Sequence, residues 1–157
     1  MTSGIVLDNG IARCNIATFA GLLFDVFYFN KDDGAKVGAW VPTGLDNQRW
    51  IVFPVGTPVH PDEVAIFAGH NGKALSTATP TLAEAVPSTP IITWTWRGGD
   101  NQRWRLVKRA NGSTGIVASR RPELTFDLDG GSGAQGQAVI LWTPHNGDNQ
   151  GFTLAAV

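Results

Sequence analysis

Five residues recur almost unchanged three times along this chain: DNQRW at Asp46–Trp50, DNQRW at Asp100–Trp104 and DNQGF at Asp148–Phe152. The copies start 54 and 48 residues apart, so one unit of about fifty residues is used three times. The unit reaches well beyond the five letters. Asp25 precedes Trp40 by 15 residues, and Asp127 precedes Trp142 by the same 15. In all three units a tryptophan (Trp40, Trp94, Trp142) stands 8 residues before the glutamine (Gln48, Gln102, Gln150). Several matching spacings constrain the chain more than any single motif does. Each copy is a supersecondary block that shares its core with the other two.

The blocks read as β structure. Short apolar or alternating runs (LLFDVFYF, KVGAWV, RWIVF, EVAIFA, IITWTW, RWRLV, GIVAS, LTFDLD, AVILW) are separated by NKDDG, PTGLDN, GHNG, RGGDN, KRANG and DGGSG. Asn, Asp and Gly in those separators accept positive φ or close side-chain turns. The best helical candidate, Thr81–Pro87, is short and ends at a proline. Nineteen glycines supply turns and six tryptophans supply large flat core residues. The expectation is all-β, a single domain over residues 1–157 with repeats at roughly 1–55, 56–109 and 110–157. Trp50, Trp104 and Phe152 are expected inside a shared core.

Several function classes are disfavoured. A net charge of −1 provides no basic field for a phosphate backbone, so no nucleic-acid partner is expected. The lone Cys14 closes no intrachain disulfide and suits a reducing compartment. The opening MTSGIVLDNG has neither the basic start nor the apolar run of a secretory leader, and no stretch approaches the ~20 apolar residues of a bilayer span. A cytoplasmic location follows as the expectation, with non-classical secretion as the alternative. GHNGK lacks the length and the Ser or Thr of a phosphate loop, and DLDGGSGAQGQA has Ala138 where a calcium loop needs a bidentate Glu. His60, His70 and His145 are scattered, so neither metal nor cofactor is expected. No nucleophile context selects a triad, and Asp127 and Asp129 alternate rather than converge, which argues against an enzyme.

The third unit, DLDGG followed by VILWTPHNGDNQ, and its in-phase copies resemble the ricin B-type (R-type) lectins, the small mushroom members in particular. The resemblance covers nearly the whole chain. It implies a β-trefoil of pseudo-threefold symmetry, built from Gln-x-Trp repeats as a six-stranded barrel capped by three hairpins. It also implies a shallow sugar site in each third, glycans as partners, homodimers in some relatives and a role in defence. A galactose-like sugar presents one apolar C–H face and an arc of hydroxyls, and so calls for a flat aromatic ring, a carboxylate and an amide. Asp127, Trp142 and Asn149 supply these at the family's positions, with Gly130 and Gly131 for close backbone approach, Gln150 to orient the acid, and His145 as a further donor.

The first unit keeps Asp25, Trp40, Asn47 and Gln48 but has DVFYF where the third has DLDGG. Phe27, Tyr28 and Phe29 there either widen a stacking platform, fill the pocket or serve a core or subunit contact. The middle unit keeps Trp94, Asn101 and Gln102 without a carboxylate. Counting 15 back from Trp94 gives Thr79, and Ser76 is the nearest polar substitute, so this third is expected to be weak; Trp96 offers at most an apolar contact. Two residues before the site tryptophan stand Gly38, Ile92 and Ile140, where many plant members carry a glutamine. The expected function is a non-catalytic lectin for terminal galactose or N-acetylgalactosamine. The alternative is a trefoil protein-interaction module such as a protease inhibitor, using STATPTLAEAVPSTP as an exposed inserting segment.

Overall fold

The structure, a computed structural model, describes residues 10–157. The opening nine residues of the stretch read above for a leader lie outside the described residues.

Among the described residues, twelve strands and five single 3₁₀ turns make up the fold. Six strands form a barrel: β1 (Ala12–Ala17), β4 (Trp50–Pro54), β5 (Val64–Ala68), β8 (Trp104–Lys108), β9 (Thr114–Ala118) and β12 (Thr153–Ala156). They pair in the order β12–β1–β4–β5–β8–β9, and a bridge between Thr114 and Phe152 closes the ring. The other six strands form three hairpins: β2 (Leu23–Val26) with β3 (Ala35–Trp40), β6 (Ala74–Thr77) with β7 (Ile91–Trp94), and β10 (Thr125–Leu128) with β11 (Val139–Trp142). The second strands of the hairpins meet one another through Ala35 opposite Thr93, Gly38 opposite Ala138, and Pro90 opposite Ile140. This barrel with a triangular hairpin cap is a β-trefoil. Among the described residues no helix is long and apolar enough to cross a membrane.

Closure solves the edge problem of an all-β chain, because barrel strands leave no unpaired ladder exposed. The interior is filled from each repeat by the same two positions. Trp50, Trp104 and Phe152 are buried at the ends of the repeated pentapeptide, and Phe24, Leu75 and Phe126 face them from the first strand of each hairpin. Trp104 meets Phe126 edge-on at 4.7 Å between ring centroids, and Phe152 meets Phe24 at 5.0 Å. The two indoles also satisfy backbone: Trp50 Nε1–H donates to the Phe24 carbonyl and Trp104 Nε1–H to that of Leu75, both at 3.1 Å. Phe152 has no such donor, so the third repeat keeps the volume and gives up that bond.

Each hairpin is also stitched to the next. The backbone N–H of Gly34 donates to Thr93 O, that of Ser88 to Leu141 O, and that of Gly136 to Ala39 O, at 2.7–2.8 Å. All three donors have positive φ (91°, 82° and 91°), including the non-glycine Ser88.

A buried ion cluster braces the second repeat. The Glu63 carboxylate, fully enclosed, accepts from Arg120 at 3.0 Å and lies 3.3 Å from Arg103 Nη1. Burial raises its pKa, but the hydrogen bonds from Arg120 and the charges of Arg120 and Arg103 outweigh that and hold it below the ordinary 4.5. A lowered carboxylate pKa stabilises the fold above the unfolded value, and that contribution is lost as pH falls through the folded one. Glu63→Gln is therefore expected to lower the melting temperature at neutral pH. The difference from the parent should shrink once the pH drops below about 4.5, and melting curves across that range check it.

Two sequence expectations change here. The run LLFDVFYF is not one strand: β2 stops at Val26, and Phe27–Phe29 form a 3₁₀ turn in which Tyr28 and Phe29 have positive φ. The helical candidate Thr81–Pro87 holds only the 3₁₀ turn Leu82–Glu84. Leu82 and Ala85 from this segment are buried in the core, and Arg121 Nη1 donates to both of their carbonyls at 2.9 and 2.7 Å.

Candidate functional site

In every repeat the letters DNQ fold into a single 3₁₀ turn: Asp46–Gln48, Asp100–Gln102 and Asp148–Gln150. The turn aims the Asn and Gln side chains back at the hairpin of the same repeat. The glutamine has one job common to all three. Its Oε1 accepts a backbone N–H at 2.8 Å from Thr43, Arg97 or His145. Its Nε2 donates to the carbonyl of Val41, Thr95 or Thr143 at 2.8–3.0 Å. The loop after each hairpin tryptophan is thereby locked, with or without a ligand.

A second job exists only in the first and third repeats. Gln150 Nε2 also donates to Asp127 Oδ2 at 2.9 Å, while Asn149 Nδ2 donates to Asp127 Oδ1 at 3.1 Å and to Leu128 O at 3.2 Å. Gln48 and Asn47 hold Asp25 in the same way, at 2.9 and 3.1 Å, with Val26 O as the further acceptor. Two oxygens of a carboxylate offer about four lone-pair positions, and the protein uses one on each. One acceptor position per oxygen remains for neighbouring hydroxyl donors. Beside each carboxylate the hairpin tryptophan is open: Trp40 is 39% and Trp142 41% exposed, although Asp25 and Asp127 are each only 5% exposed. Burial raises the pKa of both aspartates above the ordinary 3.8, outweighing the amide hydrogen bonds that lower it.

His145 stands at the rim of the third site. Its Nδ1 accepts the Gly147 N–H at 2.9 Å, which places the proton of the neutral ring on Nε2. That nitrogen lies 3.5 Å from Asp127 Oδ2 without a hydrogen bond between them. Gly130 and Gly131 have φ of 77° and 65° in the turn beside Asn149. A Cβ on Gly131 would sit 3.5 Å from Asn149 Nδ2 and one on Gly130 2.8 Å from Gln137 Nε2, so this wall of the site is bare backbone.

The first site differs in its wall. Tyr28 and Phe29 take the places of Gly130 and Gly131 and keep their left-handed turn, with φ of 61° and 52°. For non-glycine residues such geometry costs of order 1–3 kcal/mol each. Phe27 turns inward, edge-on to Trp40 at 6.2 Å between centroids. The absent side chain of Gly38 makes its room: a Cβ there would collide with the Phe27 ring and with the Gln137 carbonyl oxygen. Asn47 is buried, and its Oδ1 has no hydrogen-bond partner among the described residues.

The middle repeat lacks the acid. Ser76 pairs with Ile92 as Asp25 pairs with Gly38 and Asp127 with Ile140, so Ser76, not Thr79, is the structural counterpart of the aspartates. The hairpin is three residues longer, which is why a fixed count of 15 lands on Thr79. Asn101 Nδ2 donates to Ser76 Oγ at 3.3 Å and to Thr79 O at 3.0 Å, and Gln102 Nε2 is left with the Thr95 carbonyl. Trp94 is as open as its counterparts, at 36%, whereas Trp96 packs against Phe67 and beneath the Arg103 guanidinium.

Arg109 is a supporting residue that the motif search does not find. Its Nη2 donates to Gly147 O at 2.9 Å, bracing the loop that carries His145. The third pentapeptide reads DNQG where the others read DNQR, and a Cβ at Gly151 would collide with the Arg109 guanidinium. The missing arginine of the motif is the clue, since one supplied from β8's end occupies its space.

A trefoil that repeats an acid–amide cluster beside an open indole in its hairpins defines a lectin-like class of β-trefoils. The chain belongs to the ricin-type β-trefoil lectin domain-like family, whose family model matches residues 46–142. No curated protein sequence matches it significantly. Among solved structures it is similar to the designed threefold-symmetric protein ThreeFoil, at 29% identity and TM-score 0.83 over 92% of this chain and 99% of that one. It shares its fold with the Rhizoctonia solani agglutinin, at 18% identity and TM-score 0.81 over 99% and 100% of the two chains. The ricin B-like lectin of Macrolepiota procera, solved in complex with lactose, aligns at 16% identity and TM-score 0.77 over 97% of this chain and 99% of that one.

Proposed function

We propose that this protein is a non-catalytic lectin that binds terminal galactose or N-acetylgalactosamine, first through the third hairpin and second through the first. The observation that carries this reading is the Asp127 carboxylate, held by two amides with an acceptor position left on each oxygen, beside the open face of Trp142. Two adjacent sugar hydroxyls donate to Asp127, Asn149 Oδ1 accepts from one hydroxyl, and the C–H face of the ring lies on the indole. Asp25, Trp40, Asn47 and Gln48 repeat this arrangement in the first third. In the middle third the neutral Ser76 hydroxyl replaces the charged acceptor, so Trp94, Asn101 and Gln102 form a weak site. The lactose complex of the Macrolepiota lectin supports the sugar class. Strength on cell surfaces would come from several shallow sites acting together, and dimerisation and a defensive role are consistent with that use.

The protease-inhibitor reading needs a free inserting segment. The segment it relied on is anchored, with Leu82 and Ala85 in the core and their carbonyls held by Arg121.

A glycan array at low ionic strength and again at about 150 mM salt, where screening acts within about 8 Å, tests the proposal. Salt-insensitive binding to galactose-terminated or N-acetylgalactosamine-terminated glycans is expected, and a blank array on folded protein would overturn the reading. The site also sets a pH dependence. Asp127 accepts hydroxyl donors fully only when ionised, and burial places its pKa above 3.8. Affinity is therefore expected to fade on acidification at a higher pH than an ordinary aspartate would give. Titrating affinity downward from about pH 7 checks this; a midpoint at or below the ordinary aspartate value of about 3.9 would contradict it.

A further inference from the structure

The first site carries a strained turn whose outermost ring the fold does not use. Tyr28 and Phe29 stand where the third site has Gly130 and Gly131, and they hold the same left-handed turn without glycine's freedom. The Tyr28 side chain gains almost no burial in return, being 97% exposed, whereas Phe29 is partly covered and meets His70 edge-on at 5.9 Å between ring centroids. Neither belongs to the core cluster. A strained turn that displays the Tyr28 ring to solvent is a feature to be explained by what that ring meets.

The rings are not an isolated patch. Trp40, Phe27 and Tyr28 follow one another edge to face at 6.2 and 6.4 Å between centroids, so one aromatic path leads from the open site indole out to Tyr28. Gly38 is the second accommodation, because only a glycine there admits Phe27 into the path. At the inner end the buried Asn47 Oδ1 still lacks a donor. A path that starts at the proposed sugar site and runs on for further ring lengths fits a chain of sugar rings.

Building on the lectin reading above, we infer that the first site is an extended one. It takes an oligosaccharide whose terminal sugar sits at Asp25, Asn47 and Trp40, and whose next ring lays its apolar face on Tyr28 and Phe29. The third site, walled by Gly130 and Gly131, takes the terminal sugar alone. The two sites thus divide the work: one reads an end, the other an end together with what precedes it.

The test uses the full chain with the third site silenced by Asp127→Ala, and compares it with the same protein carrying Tyr28→Gly and Phe29→Gly, which restores the third site's turn. Calorimetric titration of both with galactose and with a galactose-terminated tetrasaccharide is the measurement. The glycine pair should stay folded, because relief of the strained turn offsets the unfolded-state entropy that glycine adds and the Phe29–His70 contact that is lost. It should lose about tenfold in tetrasaccharide affinity while galactose affinity changes by less than about twofold. Equal losses on both ligands, or no loss on either, would overturn the extended site and leave the lectin reading standing. No binding of either ligand by the parent would overturn the first site as a sugar site, and the extension with it. An unchanged affinity ratio with a dimer dissociated by the glycine pair, seen by sedimentation, would assign the rings to a subunit contact instead.

Discussion

Asp127→Ala is expected to lower affinity at the third site by about 100-fold or more while leaving the protein folded. Hydrogen bonds to a charged group contribute about 1.5–3 kcal/mol each, and two hydroxyls lose theirs; a loss near 3 kcal/mol corresponds to roughly two decades in Kd. The fold tolerates the change for reasons visible in the amide partners. Asn149 keeps the Leu128 carbonyl and Gln150 keeps that of Thr143, so neither Nδ2 nor Nε2 is left without an acceptor. The sign of the titration points the same way. The folded pKa of Asp127 is raised, so its contribution to stability is present below the unfolded value and lost as pH rises through the folded one. The buried charge thus costs the fold stability relative to the protonated acid, which offsets part of what losing the two amide bonds removes. The middle repeat is a natural version of this variant: Gln102, without an aspartate, keeps both of its loop-locking bonds. Sugar titration together with thermal unfolding checks both halves, and unaltered affinity would remove Asp127 from the site.

Trp104→Ala should have the opposite signature, a loss of the fold rather than of recognition in the native state. Its indole is fully buried, packs on Phe126 at 4.7 Å and donates to the Leu75 carbonyl. Removing a buried tryptophan typically costs about 3–5 kcal/mol, and the stranded carbonyl adds to the loss. Against a native stability of about 5–15 kcal/mol this brings the chain close to unfolding at ambient temperature. Urea unfolding monitored by far-UV circular dichroism measures it; a midpoint within error of the parent would refute a core role for the repeated pentapeptide.

Most of this was legible in the letters because the threefold repeat carries both the core and the site. The pentapeptide announced Trp50, Trp104 and Phe152 as core, and the matched spacings picked out Asp25 and Asp127 with their amides. What escaped depended on geometry without periodicity. Tyr28 and Phe29 belong by composition to a strand, and only the turn's register with Gly130 and Gly131 shows them left-handed. Ser76 was hidden by three extra residues in its hairpin, since counting cannot see register. The segment after it carries the prolines and small residues of an exposed loop, yet Leu82 and Ala85 fill a gap in the core that only three dimensions reveal. β1 is ARCNIA, too poor in β-branched residues to stand out, and it is a strand because β4 and β12 flank it.

The stitching of each hairpin to the next has a consequence for what one repeat is worth alone. Gly34 of the first repeat lies against the Trp94 ring of the second, and Gly136 of the third against the Trp40 ring of the first. Two of the three indoles therefore borrow a flank from a neighbouring repeat. A fragment of about fifty residues would hold the acid and its amides but leave its tryptophan with one side unsupported and its share of the barrel open. Closing the barrel would take two further copies beside it, which this chain supplies covalently.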